Sequence, residues 1–175
     1  EKIIKPTIWG MNEIGCAYRG ILYAGVIIKD NEPKLIEYNI RFGDPECQVL
    51  MMRLENDLLD IIESTFDGSL KNKNIQWAKE PCITVVAASK GYPKEFKKNV
   101  EIKNVNNLKL NDKVQLFHAA TFLDEKRIMR NNGGRVFSST VMDINLQIAR
   151  EKALEILDYI DWENKYFRKD IAFRV

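Results

Sequence analysis

Glu37, Asn39 and Arg41 occupy alternate positions of Lys34-Leu-Ile-Glu-Tyr-Asn-Ile-Arg-Phe-Gly-Asp-Pro-Glu46, where polar and apolar residues alternate until Gly43 and Pro45 stop the pattern. Side chains of a strand switch faces with period two, so these three share one side and Ile36, Tyr38, Ile40 and Phe42 share the other. A carboxylate, an amide oxygen and a guanidinium in one row suit a hard cation held beside a phosphate, because Mg²⁺ takes one or two protein oxygens and completes its shell with phosphate oxygens. The solvated face of an antiparallel strand is the other reading of the same row. The turn that follows favours the first. Arg41, Asp44 and Glu46 gather around a Gly and a Pro that fix the backbone, and functional residues concentrate in such turns at strand ends.

The elements that must hold this row follow from pattern. Gly20–Lys29 is rich in β-branched and aromatic residues and ends at Asp30-Asn-Glu-Pro33, so it is expected to pair antiparallel with the row's strand. Its near-continuous apolar run predicts a central strand covered on both faces. Residues 1–8 read as the tail of a helix. Val49, Leu50, Met52, Leu54, Leu58, Leu59, Ile61 and Ile62 recur at helical intervals, which predicts one core helix over Cys47–Phe66 that stops at Gly68. Its N-terminus would favour the acids Asp44 and Glu46 or a bound anion, and the two compete for one place.

Residues 71–80 are polar and basic and separate two expected units, 1–70 and 81–175. The second unit is read as mostly antiparallel: Cys82–Ser89, Val114–Phe122 and Gly134–Val141 as strands, with shorter pieces near Val100–Ile102 and Ile128–Arg130. A helix from Asp143, with that residue as its N-cap, carries Ile144, Ile148, Ala149, Ala153, Ile156, Leu157 and Ile160 on one stripe. The expected class is α+β.

Composition narrows the function. The chain has 175 residues, 45% hydrophobic and 30% charged, with a net charge of +2, an ordinary globular balance that does not argue for nucleic acid. Cys16, Cys47 and Cys82 form no CxxC pair, which supports neither a disulfide framework nor zinc and makes a reducing cytoplasm the natural compartment. No apolar run reaches the length of a membrane span. His118, the one histidine, is either a hydrogen-bonded residue of an apolar strand or a general acid or base. Asn131-Asn-Gly-Gly-Arg135 suits a tight turn into a strand, and it could also present backbone N–H groups and an Arg to a phosphate. Neither a P-loop nor a GxGxxG fingerprint occurs.

Beyond spacing, the chain resembles the phosphoribosylamine–glycine ligases of the ATP-grasp superfamily. The resemblance is carried by Gly20-Ile-Leu-Tyr-Ala-Gly25, Ile36-Glu-Tyr-Asn-Ile-Arg-Phe-Gly-Asp-Pro-Glu46, Ser89-Lys-Gly-Tyr-Pro93, Phe117-His-Ala-Ala-Thr121, Asn132-Gly-Gly-Arg-Val136 and Arg168-Lys-Asp-Ile171. It implies that 1–70 is the last part of an ATP-grasp domain and 81–175 the family's C-terminal domain. It also implies that Glu37 and Asn39 hold the Mg²⁺ (or Mn²⁺) bridging the ATP phosphates, that Arg41 lies beside the transferring phosphoryl group, and that Asp44 and Glu46 wall the glycine or 5-phosphoribosylamine site. The chemistry implied is glycine's carboxylate taking the γ-phosphoryl group, followed by displacement of phosphate by the amine. The chain departs from the family at Lys94, Ala120 and Ala172, where Gly is usual. It opens at Glu1 without Met, so it is expected to be a C-terminal piece, inactive without the N-terminal part of the same polypeptide. A carboxylase-like ATP-grasp enzyme, which shares Glu-x-Asn-x-Arg, and a non-catalytic docking module are the alternatives.

Overall fold

The computed structural model describes residues 1–174. In chain order its elements are α1 (Ile4–Glu13), β1 (Tyr23–Lys29), β2 (Glu32–Asn39), α2 (Glu46–Arg53), α3 (Leu58–Asp67), β3 (Cys82–Ser89), β4 (Val114–His118), β5 (Thr121–Leu123), β6 (Met129–Asn131), β7 (Arg135–Met142), α4 (Leu146–Tyr159) and β8 (Lys165–Phe167). Every strand pairing is antiparallel, so the α+β expectation holds. Two compact units divide the chain: Glu1–Asp44 with Leu54–Gln76, and Pro45–Arg53 with the residues from Trp77 onward.

In the first unit β1 and β2 form a hairpin closed by Asp30 and Asn31, whose φ values of 52° and 61° give the two-residue turn that matches strand twist. Asp and Asn tolerate that region because their short polar side chains bond locally. The expectation of a covered central strand fails. Among the described residues the sheet has only these two strands, and Ile28, Ile36 and Ile40 are 70%, 67% and 76% exposed. On the apolar side of β2, Ile36 and Ile40 are therefore not core in this unit, whereas Tyr38 reaches Thr7 of α1 through its hydroxyl.

The single helix expected over Cys47–Phe66 is two helices. Asp57 breaks it by accepting the N–H groups of Leu59 (2.8 Å) and Asp60 (3.2 Å), which caps α3 afresh. Asn56 fixes the interruption: its Oδ1 accepts Gln76 N at 2.6 Å, while Glu55 N donates to Gln76 O at 3.1 Å. Polar side chains that bond nearby backbone compete with a helix. Gly68 ends α3 in the left-handed region at φ 80°, as its sequence position suggested.

The second unit is built on a four-stranded sheet in the order β4-β7-β3-β8. Ile83, Val85 and Ala87 stand opposite Val141, Ser139 and Phe137. This face packs with Ala149, Ala153 and Leu157 of α4 and with Ile160 and Trp162. The two alanines let the helix backbone approach the sheet closely. α2 packs on the same two central strands. Cys82, half-buried and out of phase with the α4-facing residues, has its thiol pushed up to about 11 by burial, against the opposing pull of the Arg53 guanidinium.

Three local expectations change. Asn145 caps α4 by accepting Ile148 N at 2.8 Å; Asp143 instead accepts Ile144 N at 2.7 Å and pairs with Lys152 at 2.6 Å. Val114–Phe122 splits into β4 and β5, because Ala119 and Ala120 follow the edge of β7 (N–H to Val136 O, 3.0 Å, and Arg135 O, 3.2 Å) while β5 turns to pair with β6. β8 was not legible in the charged tail. Its first residue, Lys165, donates to the carbonyls of Leu157, Asp158 and Ile160 and closes the C-terminus of α4.

One buried amide ties the loops of this unit together. Asn131, 1% exposed, accepts Val100 N through Oδ1 at 2.7 Å and donates through Nδ2 to Ser89 Oγ and Lys97 O, both at 2.8 Å. Removing that side chain strands these groups out of water, and each orphaned group is costly. Asn131→Ala is expected to lower stability by about 3 kcal/mol. Urea unfolding of the two proteins measures this, and a loss below about 0.5 kcal/mol would contradict the clasp.

Candidate functional site

β2 brings Glu37 and Asn39 onto one face. Asn39 Nδ2 donates to Glu37 Oε1 at 3.1 Å, a contact that period-two geometry permits and a one-residue offset would not. Glu37 is exposed and Asn39 half-buried. Across the hairpin Glu37 pairs with Gly25, beside a register irregularity at Gly25/Val26. A Cβ on Gly25 would stand 3.0 Å from Glu37 Cγ, so the glycine leaves room for the carboxylate to lie over the neighbouring strand.

With the amide nitrogen turned to one carboxylate oxygen, the second carboxylate oxygen and Asn39 Oδ1 remain as acceptors on that face. Both are hard oxygens, the donor type of Mg²⁺, Mn²⁺ or Ca²⁺ rather than zinc. Among the described residues no group of three or more His, Cys, Asp or Glu could hold a metal. A cation here would thus take two protein oxygens and draw the rest of its shell from ligand or water, the usual manner of Mg²⁺ beside phosphates.

Arg41 lies just past β2 and is exposed; its Nη1 donates to Phe42 O at 2.7 Å, folding the guanidinium back on its own turn. Asp44 closes the first unit, exposed at the turn before Pro45. Glu46 opens α2 in the second unit and stands in the helix's first turn, where a carboxylate is favoured by the unpaired N–H groups. Glu37, Asn39, Arg41 and Asp44 therefore belong to one unit and Glu46 to the other.

His118 ends β4. Its Nδ1 lies 2.8 Å from Thr121 Oγ1 and its ring meets Phe137 edge-on at 5.0 Å. Burial holds its pKa below the ordinary 6.5, so the neutral ring prevails at pH 7. The reading of a hydrogen-bonded strand residue accounts for these contacts in full. In sequence, 118–121 falls inside the strand expected over Val114–Phe122, 131–135 reads as a tight turn, and 89–93 follows the strand expected over Cys82–Ser89. The structure brings them together at one end of the sheet, through Ser89 N to Gly134 O (2.8 Å) and Asn132 N to Ala120 O (2.9 Å). The signal available earlier was that all three segments carried the resemblance.

Residues 82–174 match the family described as "Phosphoribosylglycinamide synthetase, C domain", and residues 1–47 match its "ATP-grasp (A) domain". This chain belongs to the phosphoribosylglycinamide synthetase family. A synthetase relative, the phosphoribosylamine–glycine ligase of Brucella melitensis biotype 1, is 46% identical over 174 residues, which are 99% of this chain and 40% of that protein. The trifunctional purine biosynthetic protein adenosine-3 of Homo sapiens is 41% identical over 175 residues, 17% of its length. Among solved structures, the phosphoribosylamine–glycine ligase of Thermotoga maritima superposes with a TM-score of 0.77 at 30% identity, covering 93% of this chain and 39% of that one. The biotin carboxylase domain of the Hydrogenobacter thermophilus 2-oxoglutarate carboxylase, solved with MgADP and bicarbonate, gives 0.62 at 14% identity over 92% of this chain and 35% of that one, a likeness of fold alone. The chain spans about 40% of the length of the synthetases it matches first.

The lowered pKa of His118 has a signed consequence. The unfolded chain binds this proton more readily, so the contribution is present above the unfolded pKa and is lost as pH falls through the folded one. The ring-proton shifts of His118 are expected to titrate below 6.5. His118→Gln should flatten the acid limb of the stability profile; a midpoint above 6.5 would contradict the burial.

Proposed function

We propose that this chain contributes part of an ATP-dependent ligase that joins glycine to 5-phosphoribosylamine, giving glycinamide ribonucleotide, ADP and phosphate in purine biosynthesis. The observation that carries the reading is the bonded Glu37–Asn39 pair on β2, in a chain of this family. In this reading residues 1–70 are the end of an ATP-grasp domain, 71–80 a linker and 81–175 the C-terminal domain. The place of work is the cytoplasm, in keeping with free cysteines and with the finding that no helix among the described residues is long and apolar enough to cross a membrane.

Glu37 and Asn39 would hold Mg²⁺, or Mn²⁺, against the ATP phosphates. When bound, the metal neutralises phosphate charge that would repel an incoming carboxylate. Arg41 swings from its own turn to the phosphoryl group, where a fixed cation stabilises charge developing in transfer. Glycine's carboxylate oxygen attacks the γ-phosphorus and ADP leaves; the neutral amine of phosphoribosylamine then attacks the carbonyl carbon of the resulting glycyl phosphate, forming the amide bond and losing a proton as inorganic phosphate departs. Asp44 and Glu46 would help wall the glycine or 5-phosphoribosylamine site, where a carboxylate orients glycine's ammonium group.

Two oxygens and one guanidinium are not enough to bind a nucleotide tightly, so the 175-residue chain by itself is expected to have no steady-state ligase activity. Turnover by the isolated chain would sink this part. The site is tested in a chimera that joins this chain to the remaining length of the Brucella melitensis relative, whose matched part is 40% of it. Glu37→Gln should weaken Mg²⁺-dependent nucleotide binding by about tenfold or more. Arg41→Gln should lower kcat by roughly 10²–10³-fold with little change in nucleotide affinity. Unaltered binding and turnover in Glu37→Gln would remove the metal assignment.

A further inference from the structure

Glycine is a poor residue for the middle of a strand, because it brings no side chain to pack and loses the most conformational freedom on folding. Gly25 nevertheless stands third in β1, half-buried and opposite Glu37. Its backbone gives no reason for the choice. Gly15, Gly20, Gly68 and Gly91 have positive φ and Gly25 does not, so an alanine there meets no left-handed penalty.

The reason lies across the hairpin. A Cβ at position 25 would stand 3.0 Å from Glu37 Cγ, whereas Tyr23 Cε1 and the Glu37 carbonyl oxygen would lie at ordinary contact distances of 3.6 and 3.7 Å. Of these neighbours only the Glu37 side chain would have to give way. That side chain is exposed, so it can move at little cost to packing. Its bond cannot move with it: Asn39 Nδ2 donates to Glu37 Oε1 at 3.1 Å, already near the long end of the N–H···O range.

The pairing of the two strands serves the same end. Gly25 faces Glu37 but Val26 faces Leu35, which leaves Ile36 as one extra residue of β2. Gly25 and Val26 are consecutive and look to opposite faces. Leu35 is thereby placed on the face opposite Glu37, although unbroken alternation would put the two on one face. Bulges of this kind re-aim side chains and are common beside functional sites.

We propose that Gly25 is a positioning residue of this face: having no side chain, it lets Glu37 lie over β1 with its carboxylate bonded to Asn39 and its second oxygen open to a divalent cation. The role of the cation rests on the ligase reading, whereas the placement of Glu37 stands on the strand geometry alone. Groups that orient a metal ligand without touching the metal commonly change its affinity by about 10–100-fold.

The test uses the ¹⁵N-labelled 175-residue chain as wild type, Gly25→Ala, Gly10→Ala and Glu37→Ala. Gly10 lies in α1, where a Cβ meets nothing within 4 Å, so its variant controls for a methyl group added elsewhere. Glu37→Ala sets the position of the unbonded Asn39 amide. Without metal, Gly25→Ala should move the Asn39 side-chain amide signals toward that position, and Gly10→Ala should leave them in place. In a titration with Mn²⁺, paramagnetic broadening of the Asn39 signals should need about tenfold more metal in Gly25→Ala than in wild type. The thermal midpoint of Gly25→Ala should equal or exceed that of wild type, because alanine narrows the unfolded ensemble; a glycine kept only for the fold would give a lower one. Unmoved Asn39 signals, an unchanged Mn²⁺ requirement beside a responding wild type, or a lowered thermal midpoint would each overturn the positioning role. A wild type that ignores Mn²⁺ removes the metal reading instead, and the metal-free Asn39 signals then still decide whether Gly25 places Glu37.

Discussion

Period two in a single strand is the constraint on which the functional reading depends. Glu37 and Asn39 are neighbours in space only because Tyr38 between them points the other way, and their 3.1 Å bond records that register. The pair is also a matter of what is missing across the hairpin. Gly25 has no Cβ, and a methyl group there would press on the Glu37 side chain at 3.0 Å. A slip of one residue in β1–β2 pairing would replace this arrangement with Ile36 and Tyr38 on the acidic face, so the Asp30–Asn31 turn that sets the register is part of the site.

The second unit solves a different problem. Its sheet is sandwiched by α2 and α4 on the same central strands, which gives a core that is apolar on the α4 side and polar enough on the other to include the Thr84–Thr140 hydroxyl contact at 2.8 Å. At the end of that sheet a fully bonded Asn takes over from apolar packing. A buried amide with all its partners in place restricts the loops to one arrangement more sharply than side-chain contact alone. Ala172 sits in the left-handed region at φ 53°, where the resemblance led one to expect Gly, and the conformation gives the physical reason for that expectation.

Alternation made the Glu37–Asn39 row and its antiparallel partner legible in the sequence, and helical period made α4 legible, because both are local. The hairpin's exposed apolar faces were not legible. Ile28 and Ile40 look like core in any window of sequence, and only the list of neighbouring elements tells whether a layer covers them. The break at Asn56–Asp57 was missed for a related reason: a continuous apolar period outweighed the cap Asp57, which accepts from Leu59 and Asp60, and its neighbour Asn56, whose partner Gln76 is distant in sequence. The convergence of Ser89–Pro93, Ala120 and Gly133–Arg135 depends on sheet order, which no local pattern encodes.

The most direct measurement is of substrate dependence. In the chimera with the Brucella melitensis relative, ADP formation should require glycine and phosphoribosylamine together, stay at background with bicarbonate in their place, and disappear with Mg²⁺ withdrawn. ADP formation that responds to bicarbonate and ignores glycine would contradict the account.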